Sequence, residues 1–250
     1  MSQVLINAKN LSKYFPKYGK IRSRAWVTFK QAFSFKTPAE QEQNCIFHDL
    51  SFQVYQGQKI ALIGQNSCGK STLLRVLAGI YKPTSGSLEV ALTPSVIFSF
   101  SIIMTRYLSV LENAYLCAGI FGITKKELDQ SIDELLDMTD LTGMKGMPLF
   151  ALSDGQKQRL AIALFALAKS SRLIFIDESF DSIDMCFQEN IMRRFPILTS
   201  PDTTFILTSH NPEILRRYCT SAIWLEDKKI KMVGDLDTVL KNYGQSFRHQ

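Results

Sequence analysis

The sequence predicts an α/β fold built around a parallel β-sheet, and three observations predict it. The apolar run Lys59–Ile63 passes through a glycine-bounded loop into Leu73–Ala78, which has the pattern of a helix. Leu173–Ile176 is continuously apolar, which is typical of a parallel strand buried on both faces. After it, strand and helix patterns alternate towards the C-terminus, as they do in α/β domains.

The composition is that of a chain able to bury a full core. Its 250 residues are 46% hydrophobic, which excludes an intrinsically disordered protein. The net charge of +6 permits contact with an anionic membrane surface or nucleic acid and identifies neither. Five scattered cysteines lack metal-ligand spacing, so we expect reduced thiols in a cytosolic compartment. We expect no signal peptide, and no membrane span at Val90–Met104, the most apolar stretch, which is too short.

The first predicted strands flank a long insertion. Val4–Ile6 predicts a short strand, Leu11–Phe15 predicts its continuation into a loop, and Ile46–Tyr55 predicts the next strand. Between them, residues 16–44 are polar and basic.

One face of this insertion is aromatic. Trp26, Phe29 and Phe33 fall at helical spacing, with arginines and lysines around them. This pattern suits a membrane interface or the groove of a partner, and equally suits packing on the chain's own core. Both interpretations stay open.

The later elements follow from turn and cap residues. Ser153 is well placed as the N-cap of a helix. We expect strands at Ser87–Ala91, Ser95–Phe100 and Thr204–Thr208, a hairpin at Ala222–Val233, and helices within Ser109–Asp140 and at Asp154–Lys169, Pro212–Tyr218 and Asp235–Tyr243. This predicts one domain of residues 1–250: a core (1–100 and 151–250), a helical subdomain (101–150) and the insertion (16–44).

The loop after the first apolar run carries the phosphate-binding P-loop pattern. It consists of Gly64, Gln65, Asn66, Ser67, Cys68, Gly69, Lys70, Ser71 and Thr72. Glycines let successive backbone N–H groups point at a β-phosphate, and the helix N-terminus adds partial positive charge. We expect Lys70 to reach the β- and γ-phosphates and the Ser71 hydroxyl to bind Mg²⁺. Between a strand and a helix, this pattern predicts a nucleotide site.

An acidic pair, Asp177 and Glu178, ends the second apolar run. The carboxyl ends of strands are where α/β sheets bind ligands. We expect Asp177 to hold Mg²⁺ through water, opposite Ser71, and Glu178 to polarise the attacking water as a general base. Such a pair alone is as consistent with a solvated turn, but its place downstream of a P-loop favours chemistry.

A third motif, Leu152-Ser153-Asp154-Gly155-Gln156, precedes a helix and then the strand of Asp177. In this order, the motifs resemble those of the nucleotide-binding subunit of an ABC transporter, over essentially the whole chain. In that family the third motif is the signature, usually L-S-G-G-Q. The resemblance implies a P-loop ATPase core with an antiparallel β region and a helical subdomain, with ATP and Mg²⁺ as ligands.

The resemblance carries further residues into the site. Asp184, in Ser182-Ile183-Asp184, matches the aspartate of the family's D-loop, and His210 matches the switch histidine that contacts the γ-phosphate. Phe15 is the best match to the aromatic that stacks on adenine, with Tyr14 and Tyr18 as alternatives.

The resemblance also implies a homodimer. The signature helix cannot reach its own nucleotide, so Ser153, Gly155 and Gln156 are expected to face ATP held by the opposite chain. Helix N–H groups and the Ser153 hydroxyl would then clamp the γ-phosphate. ATP joins two copies and hydrolysis releases them.

Some positions depart from the family pattern. Ser67 replaces a glycine, which is acceptable where φ need not be positive. Asp154 replaces the first signature glycine and places a carboxylate near phosphate, where like charges would weaken closure. Ser179-Phe180 replaces a proline-containing link, and residues 99–103 hold no Q-loop glutamine.

Two features resemble the bacterial ATPases that export O-antigen, capsule or teichoic acid: the long insertion, and the stretch Tyr107–Asn113. The resemblance implies a separate integral-membrane permease, a polysaccharide substrate, a peripheral location on the cytoplasmic face of the inner membrane, and no nucleic-acid partner. We expect no appended carbohydrate-binding domain. The alternatives are an ABC ATPase for another cargo (lipid, drug or peptide), or an ATP-gated dimerising module with little turnover. Steady-state ATP hydrolysis distinguishes the dimerising module, which would turn over little ATP, from the two transporter ATPases.

Overall fold

The computed structural model describes residues 3–16, 43–97, 104–167, 172–178, 181, 183–194 and 200–246. Most of the insertion lies outside these residues, including Trp26, Phe29 and Phe33, so its predicted helical face stays a prediction. Residues 99–103 and Ser179-Phe180 lie outside them as well.

Nine β-strands lie within the described residues. Their bounds are β1 Val4–Pro16, β2 Gln43–Tyr55, β3 Lys59–Ile63, β4 Ser85–Val90, β5 Ser95–Ile97, β6 Leu173–Asp177, β7 Thr204–Thr208, β8 Ser221–Glu226 and β9 Lys229–Asp235.

Seven α-helices occur in the same part of the chain. Their bounds are α1 Lys70–Leu77, α2 Val110–Ile120, α3 Lys125–Met138, α4 Asp154–Leu167, α5 Met185–Arg194, α6 Pro212–Tyr218 and α7 Leu236–Ser246, with 3₁₀ turns at Thr142–Met144 and Leu149–Ala151.

The strands form two sheets, which confirms the predicted α/β fold with an antiparallel β region. The smaller sheet is antiparallel, in the order β2-β1-β4. The larger sheet has the order β5-β6-β7-β3-β8-β9 and is parallel except for β9, which pairs antiparallel with β8. Consequently β3, β6 and β7 all end at one edge, with β7 between the other two.

The central strands of the larger sheet are buried on both faces. In β3, Ile60 and Leu62 pack with the smaller sheet and α1, whereas Ala61 and Ile63 pack on the opposite side with α2 and α4. Successive side chains of a strand point to opposite faces, so both sets must be apolar. This explains the continuous apolar runs that predicted β3 and β6.

The predicted helical stretch within Ser109–Asp140 divides into α2 and α3. Ser109 and Thr124 cap them, each within a capping box that satisfies the first backbone N–H groups. Both helices pack against α4 in the core on one side of the larger sheet. No helix of the described residues is long and apolar enough to cross a membrane. The division into a catalytic core and a helical subdomain stays a prediction.

The first strand differs from the expectation. The sequence predicts that a loop replaces the strand at Leu11–Phe15, but β1 continues without interruption to Pro16. Irregularities in its pairing with β2, at Ala8/Leu11 and between Leu11 and Tyr14, break the two-residue alternation. An irregular strand that lacks regular alternation of apolar and polar residues cannot be told from a loop by its sequence pattern. The strand was therefore missed at these residues.

Asn113 ties the chain entering α2 to that helix. Its side chain is fully buried; the amide oxygen accepts a hydrogen bond from Thr105 N at 2.7 Å, and the amide nitrogen donates to the carbonyl oxygens of Thr105, Leu108 and Ser109 at 3.0–3.1 Å. Buried backbone groups that lose their partner cost free energy.

We therefore expect Asn113→Ala to lower the free energy of unfolding by about 1–3 kcal/mol, since it leaves buried groups without partners. Urea denaturation measures this. Gln130→Ala removes an exposed amide from the neighbouring α3 and should change stability by less than about 0.5 kcal/mol. Equal losses in the two variants would contradict the anchoring role of Asn113.

Candidate functional site

The P-loop connects β3 to α1 and curls tightly. A Cβ atom on Gly64 would lie 2.4 Å from the carbonyl oxygen of Leu225 and 2.7 Å from the Cys68 sulfur. Gly69, at φ +108°, lies next to Ile46 and precedes the first residue of α1. The close approach of the backbone leaves no room for side chains at these two positions, so glycine is required.

Lys70 is held inside this loop. Only 6% of the residue is exposed, and its ammonium donates to the carbonyl oxygens of Gly64 (2.9 Å) and Gln65 (3.1 Å). The first backbone bond of α1 runs from Leu73 N to Gly69 O, so the N–H groups of residues 70–72 precede the helical ladder. A buried cation beside helix N–H groups is suited to binding an anion.

The loop opens into a pocket of about 160 Å³. It is lined by Ile46, Asn66, Ser67, Gly69, Lys70, Ser71, Thr72 and Glu178. Glu178 comes from the end of β6, so the fold brings the predicted general base to the predicted phosphate loop. Burial raises the pKa of the Cys68 thiol, which belongs to the loop, with Lys70 acting in the opposite direction.

Ser67 is a correction to the sequence argument. Serine is acceptable at this position where φ is not positive, but the structure gives φ +64°. A left-handed residue without glycine costs about 1–2 kcal/mol. The loop makes a left-handed turn at Ser67, whose side chain is exposed, and serine adopts this conformation with some strain.

Thr208, buried at the end of β7, fixes the two acidic residues. Its hydroxyl donates to Asp177 Oδ1 at 2.8 Å and accepts from Glu178 N at 3.0 Å. Glu178 N also lies 3.1 Å from the carbonyl oxygen of Thr208. One side chain therefore orients both residues whose carboxylates the sequence assigns to Mg²⁺ and to water.

His210 lies against Glu178. His210 Nε2 is 3.0 Å from Glu178 Oε1, and the two side chains are 51% and 45% exposed. Glu178 has φ +54°, a left-handed backbone that turns its side chain towards both the P-loop pocket and His210. The structure thus brings Lys70, Glu178 and His210 together at one edge of the larger sheet.

Asp181 fastens the segment after Glu178 to the loop that carries His210. One carboxylate oxygen accepts from the Ser209 hydroxyl, and the other accepts from His210 N at 2.8 Å. Asp181 N in turn lies 3.4 Å from the carbonyl oxygen of Glu178.

The signature residues form a separate surface. Ser153 and Gln156 make a capping box at the start of α4: Ser153 N and Oγ donate to Gln156 Oε1, and Gln156 N donates back to Ser153 Oγ, all at 3.0–3.2 Å. An open cavity beside this cap is lined by Ser153, Gly155, Gln156, Arg159 and Asp184. The lining of the P-loop pocket includes none of these described residues.

Asp184 joins α4 to α5. Its carboxylate caps α5 by accepting from Phe187 N at 2.8 Å and pairs with Arg159 at 2.5 Å, while Arg159 also pairs with Asp140 at 2.7 Å. The Phe187 N–H, with a further contribution from Arg159, holds the pKa of the Asp184 carboxyl below its usual range. Asp184 is therefore an anion at neutral pH.

Asp154 has a compensating partner. Its carboxylate is 99% exposed and lies 2.9 Å from Lys157 Nζ, one turn along α4. The ammonium offsets part of the repulsion that the sequence argument expects between Asp154 and a phosphate.

Phe15 contacts residues other than the P-loop. Its ring packs edge-to-face on Tyr81, with centroids 5.4 Å apart, and Lys13 Nζ lies 4.7 Å from its centroid. Its partner in β2 is Asn44, two residues before Ile46, which lines the pocket. The adenine-stacking role of Phe15 stays a prediction.

Three residues of these surfaces were not predicted from the sequence: Asp181, Thr208 and Arg159. Polar residues at the end of an apolar strand, Thr208-Ser209, were the available signal for one of them. Asp181 lies between Glu178 and Asp184, and its sequence context is that of any loop residue. Its contacts are to the loop of His210, which is distant in sequence, so no local pattern indicates them.

Comparison with curated proteins identifies relatives of the whole chain. Residues 47–181 match the ABC transporter family. The chain is 28% identical over 243 residues to the O-antigen export system ATP-binding protein RfbB of Klebsiella pneumoniae, covering 97% of this chain and 98% of the relative. The teichoic acids export ATP-binding protein TagH of Staphylococcus haemolyticus is 28% identical over 244 residues, covering 97% and 89%. For TagH of Bacillus anthracis the identity is 25% over 240 residues, and the match covers 96% of this chain but 43% of the relative.

Solved structures share the fold. An ATP-binding subunit of an ABC transporter aligns with a TM-score of 0.70 at 22% identity, covering 96% of this chain and 93% of that one. A dimeric ATP-binding cassette in a post-hydrolysis state, bound to ADP and Pi, aligns with a TM-score of 0.68 at 21% identity, covering 92% and 98%. The family match spans the P-loop, the signature and the acidic pair, which confirms the resemblance that the motifs predict, and the chain belongs to the ABC transporter family.

Proposed function

We propose that this chain is the ATP-hydrolysing subunit of an ABC transporter that exports a cell-surface polysaccharide, or its lipid-linked precursor, through a separate membrane permease. One observation carries the catalytic part: Lys70 and Glu178 line the same P-loop pocket, and His210 contacts Glu178. The export part rests on relatives of nearly full length named for O-antigen and teichoic acid export.

In this proposal the P-loop holds the triphosphate of ATP. The backbone N–H groups at the start of α1 and the Lys70 ammonium neutralise phosphate charge in a loop that has no room for a side chain at Gly64 or Gly69. The Ser71 hydroxyl and the Asp177 carboxylate are oxygen donors of the kind that Mg²⁺ prefers, and few protein ligands suffice when phosphates supply the rest. Bound Mg²⁺ would neutralise charge on the β- and γ-phosphates.

Glu178 is then the general base. Its carboxylate lines the pocket and can accept a proton from a water positioned for attack on the γ-phosphate. His210, 3.0 Å away, holds that carboxylate and supplies a hydrogen-bond donor beside it. Thr208 fixes the backbone of Glu178 and one oxygen of Asp177, so the base and the metal ligand keep a constant relation.

The signature cavity would serve a second copy of the chain. Ser153, Gly155 and Gln156 lie at a helix start away from the P-loop pocket of their own chain, as the predicted shared site requires. We infer a homodimer in which each ATP lies between the P-loop of one copy and the signature of the other. A dimeric cassette among the structural neighbours supports this arrangement.

The transport role places the chain at the cytoplasmic face of the inner membrane, bound to its permease. ATP is made in the cytoplasm, and a subunit that drives export must reach both ATP and the membrane.

The test of the cargo is deletion of the gene in its native host. Loss of a surface polysaccharide, restored by the wild-type chain, is expected; unchanged surface glycan with impaired export of a lipid, drug or peptide would overturn the cargo.

Glu178→Gln should abolish turnover while ATP still binds. The amide keeps the side-chain shape but cannot accept the proton, so we expect the rate of ATP hydrolysis with permease to fall by at least about 100-fold. Phosphate release and size-exclusion chromatography with ATP measure turnover and the accumulating dimer. Glu213→Gln, an exposed change in the first turn of α6, is the matched control. Unchanged ATP turnover in Glu178→Gln would contradict the role of Glu178 as the general base.

Gly64→Ala should prevent nucleotide binding. Its Cβ would meet the carbonyl oxygen of Leu225 at 2.4 Å, a backbone atom that cannot rotate away. We expect ATP affinity to fall by more than about tenfold, or about 1.4 kcal/mol. Titration with a fluorescent ATP analogue measures this. In Gly119→Ala, the added Cβ meets nothing within 4 Å, so affinity should not change. Retained ATP affinity in Gly64→Ala would contradict the role of this tight loop in nucleotide binding.

Mixing two inactive variants tests the shared site. Lys70→Ala disables one P-loop and Ser153→Arg blocks one signature, so a mixed dimer keeps one intact shared site. We expect the mixture to recover up to about one quarter of wild-type ATP hydrolysis, because half of randomly paired dimers have one working site of two. A mixture of Lys70→Ala with Glu178→Gln leaves no intact site and should stay inactive. Absence of recovery in the first mixture would contradict sharing.

A further inference from the structure

Asp181, three residues after Glu178, binds the loop of His210 through its carboxylate. Asp181 accepts the Ser209 hydroxyl on one oxygen and His210 N, at 2.8 Å, on the other. Ser209 is 7% exposed, and its oxygen is also 2.9 Å from Asn211 N, from which it accepts. The loop of residues 209–211 is therefore organised around Asp181.

We propose that Asp181 is a positioning residue for ATP hydrolysis, which holds the Ser209-His210 backbone so that the His210 ring stays in contact with Glu178. The proposal rests on the proposed function, because it assigns Asp181 to the hydrolysis that Glu178 performs. Asp181 acts through His210. It is not among the described residues that line the P-loop pocket.

The geometry requires a carboxylate. Both donors, a hydroxyl and a backbone N–H, converge on two oxygens of one side chain. An asparagine offers one oxygen acceptor, so one of the two donors would lose its partner. Hydrogen bonds to an ionised carboxylate are shorter and stronger than neutral ones, and this suits a loop that must keep its place.

The position of this loop matters because Glu178 is conformationally strained. A residue other than glycine at φ +54° is strained and keeps this conformation only where its surroundings hold it. Glu178 is held at its N–H by Thr208, at its carboxylate by His210, and at its carbonyl oxygen by Asp181 N at 3.4 Å. Asp181 contributes to the last two of these restraints, once through its own backbone and once through His210.

Release of the His210 loop should slow the chemical step and leave ATP binding intact. We expect Asp181→Ala to lower kcat by about 10- to 100-fold with KM for ATP unchanged within about twofold, since misplacement of a catalytic group by about 1 Å can cost roughly 100-fold. Asp181→Asn keeps the shape and one acceptor, so its kcat should lie between those of Asp181→Ala and the wild type. ATP hydrolysis by the full chain with its permease measures both.

A second readout does not depend on turnover. The sequence has 3 histidines, so the ring resonance of His210 can be assigned in a ¹H–¹³C spectrum by its loss in His210→Ala. We expect Asp181→Ala and Asp181→Asn to shift this resonance. Asp202→Asn removes the same charge from an exposed turn before β7 and should change neither the resonance nor kcat.

The outcomes separate this inference from the proposed function. A wild-type chain that hydrolyses no ATP with its permease would overturn the proposed function. The His210 resonance in the Asp181 variants would still test whether Asp181 holds the loop of His210. An active wild type with unchanged kcat and an unshifted His210 resonance in Asp181→Asn would overturn the role of Asp181 alone. A raised KM at unchanged kcat would overturn it too, because Asp181 would then act on nucleotide binding.

Discussion

The parallel pairing of β3, β7 and β6 is the constraint on which the site depends. Because these strands run in one direction, their carboxyl ends meet at one edge of the sheet. The P-loop follows β3, the acidic pair ends β6, and the loop of His210 follows β7. The register places Asp177 opposite Thr208, so the hydroxyl between the two acidic residues is a direct consequence of strand pairing. A shift of β7 by one residue would point Thr208 to the other face of the sheet.

Charge and strain at this edge are balanced locally. The Lys70 ammonium is buried in a loop whose own carbonyl oxygens accept hydrogen bonds from it, so the cation is partnered before any anion binds. Ser67 and Glu178 both have a left-handed backbone, which costs each about 1–2 kcal/mol. The core buried on both faces of β3 and β6 holds the ends of these strands in place.

The sequence predicted most of the fold and of the P-loop side of the site. Apolar runs buried on both faces identified β3 and β6, and cap residues such as Ser153 located helix starts, because these signals are local. The continuation of β1 to Pro16 was missed because its irregular pairing with β2 hides the alternation. Asp181 and Thr208 were missed for a different reason: each acts through contacts to another strand or loop, and no spacing along the chain encodes such a contact. The φ of Ser67 was likewise set by the shape of the loop.

Two aspartates three residues apart connect the two surfaces that the sequence motifs predict to be functional. Asp181 is bound to the loop of His210 beside the P-loop pocket, whereas Asp184 is bound to Arg159 beside the signature cavity. Three residues of extended chain span at most about 11 Å, so the two anchors cannot move far apart without one of them letting go. Both anchors are charge-assisted, through a carboxylate in each case, which favours movement of the segment as a unit. The geometry therefore gives each copy of the chain a short physical link between its own nucleotide pocket and the surface that it would offer to a second copy.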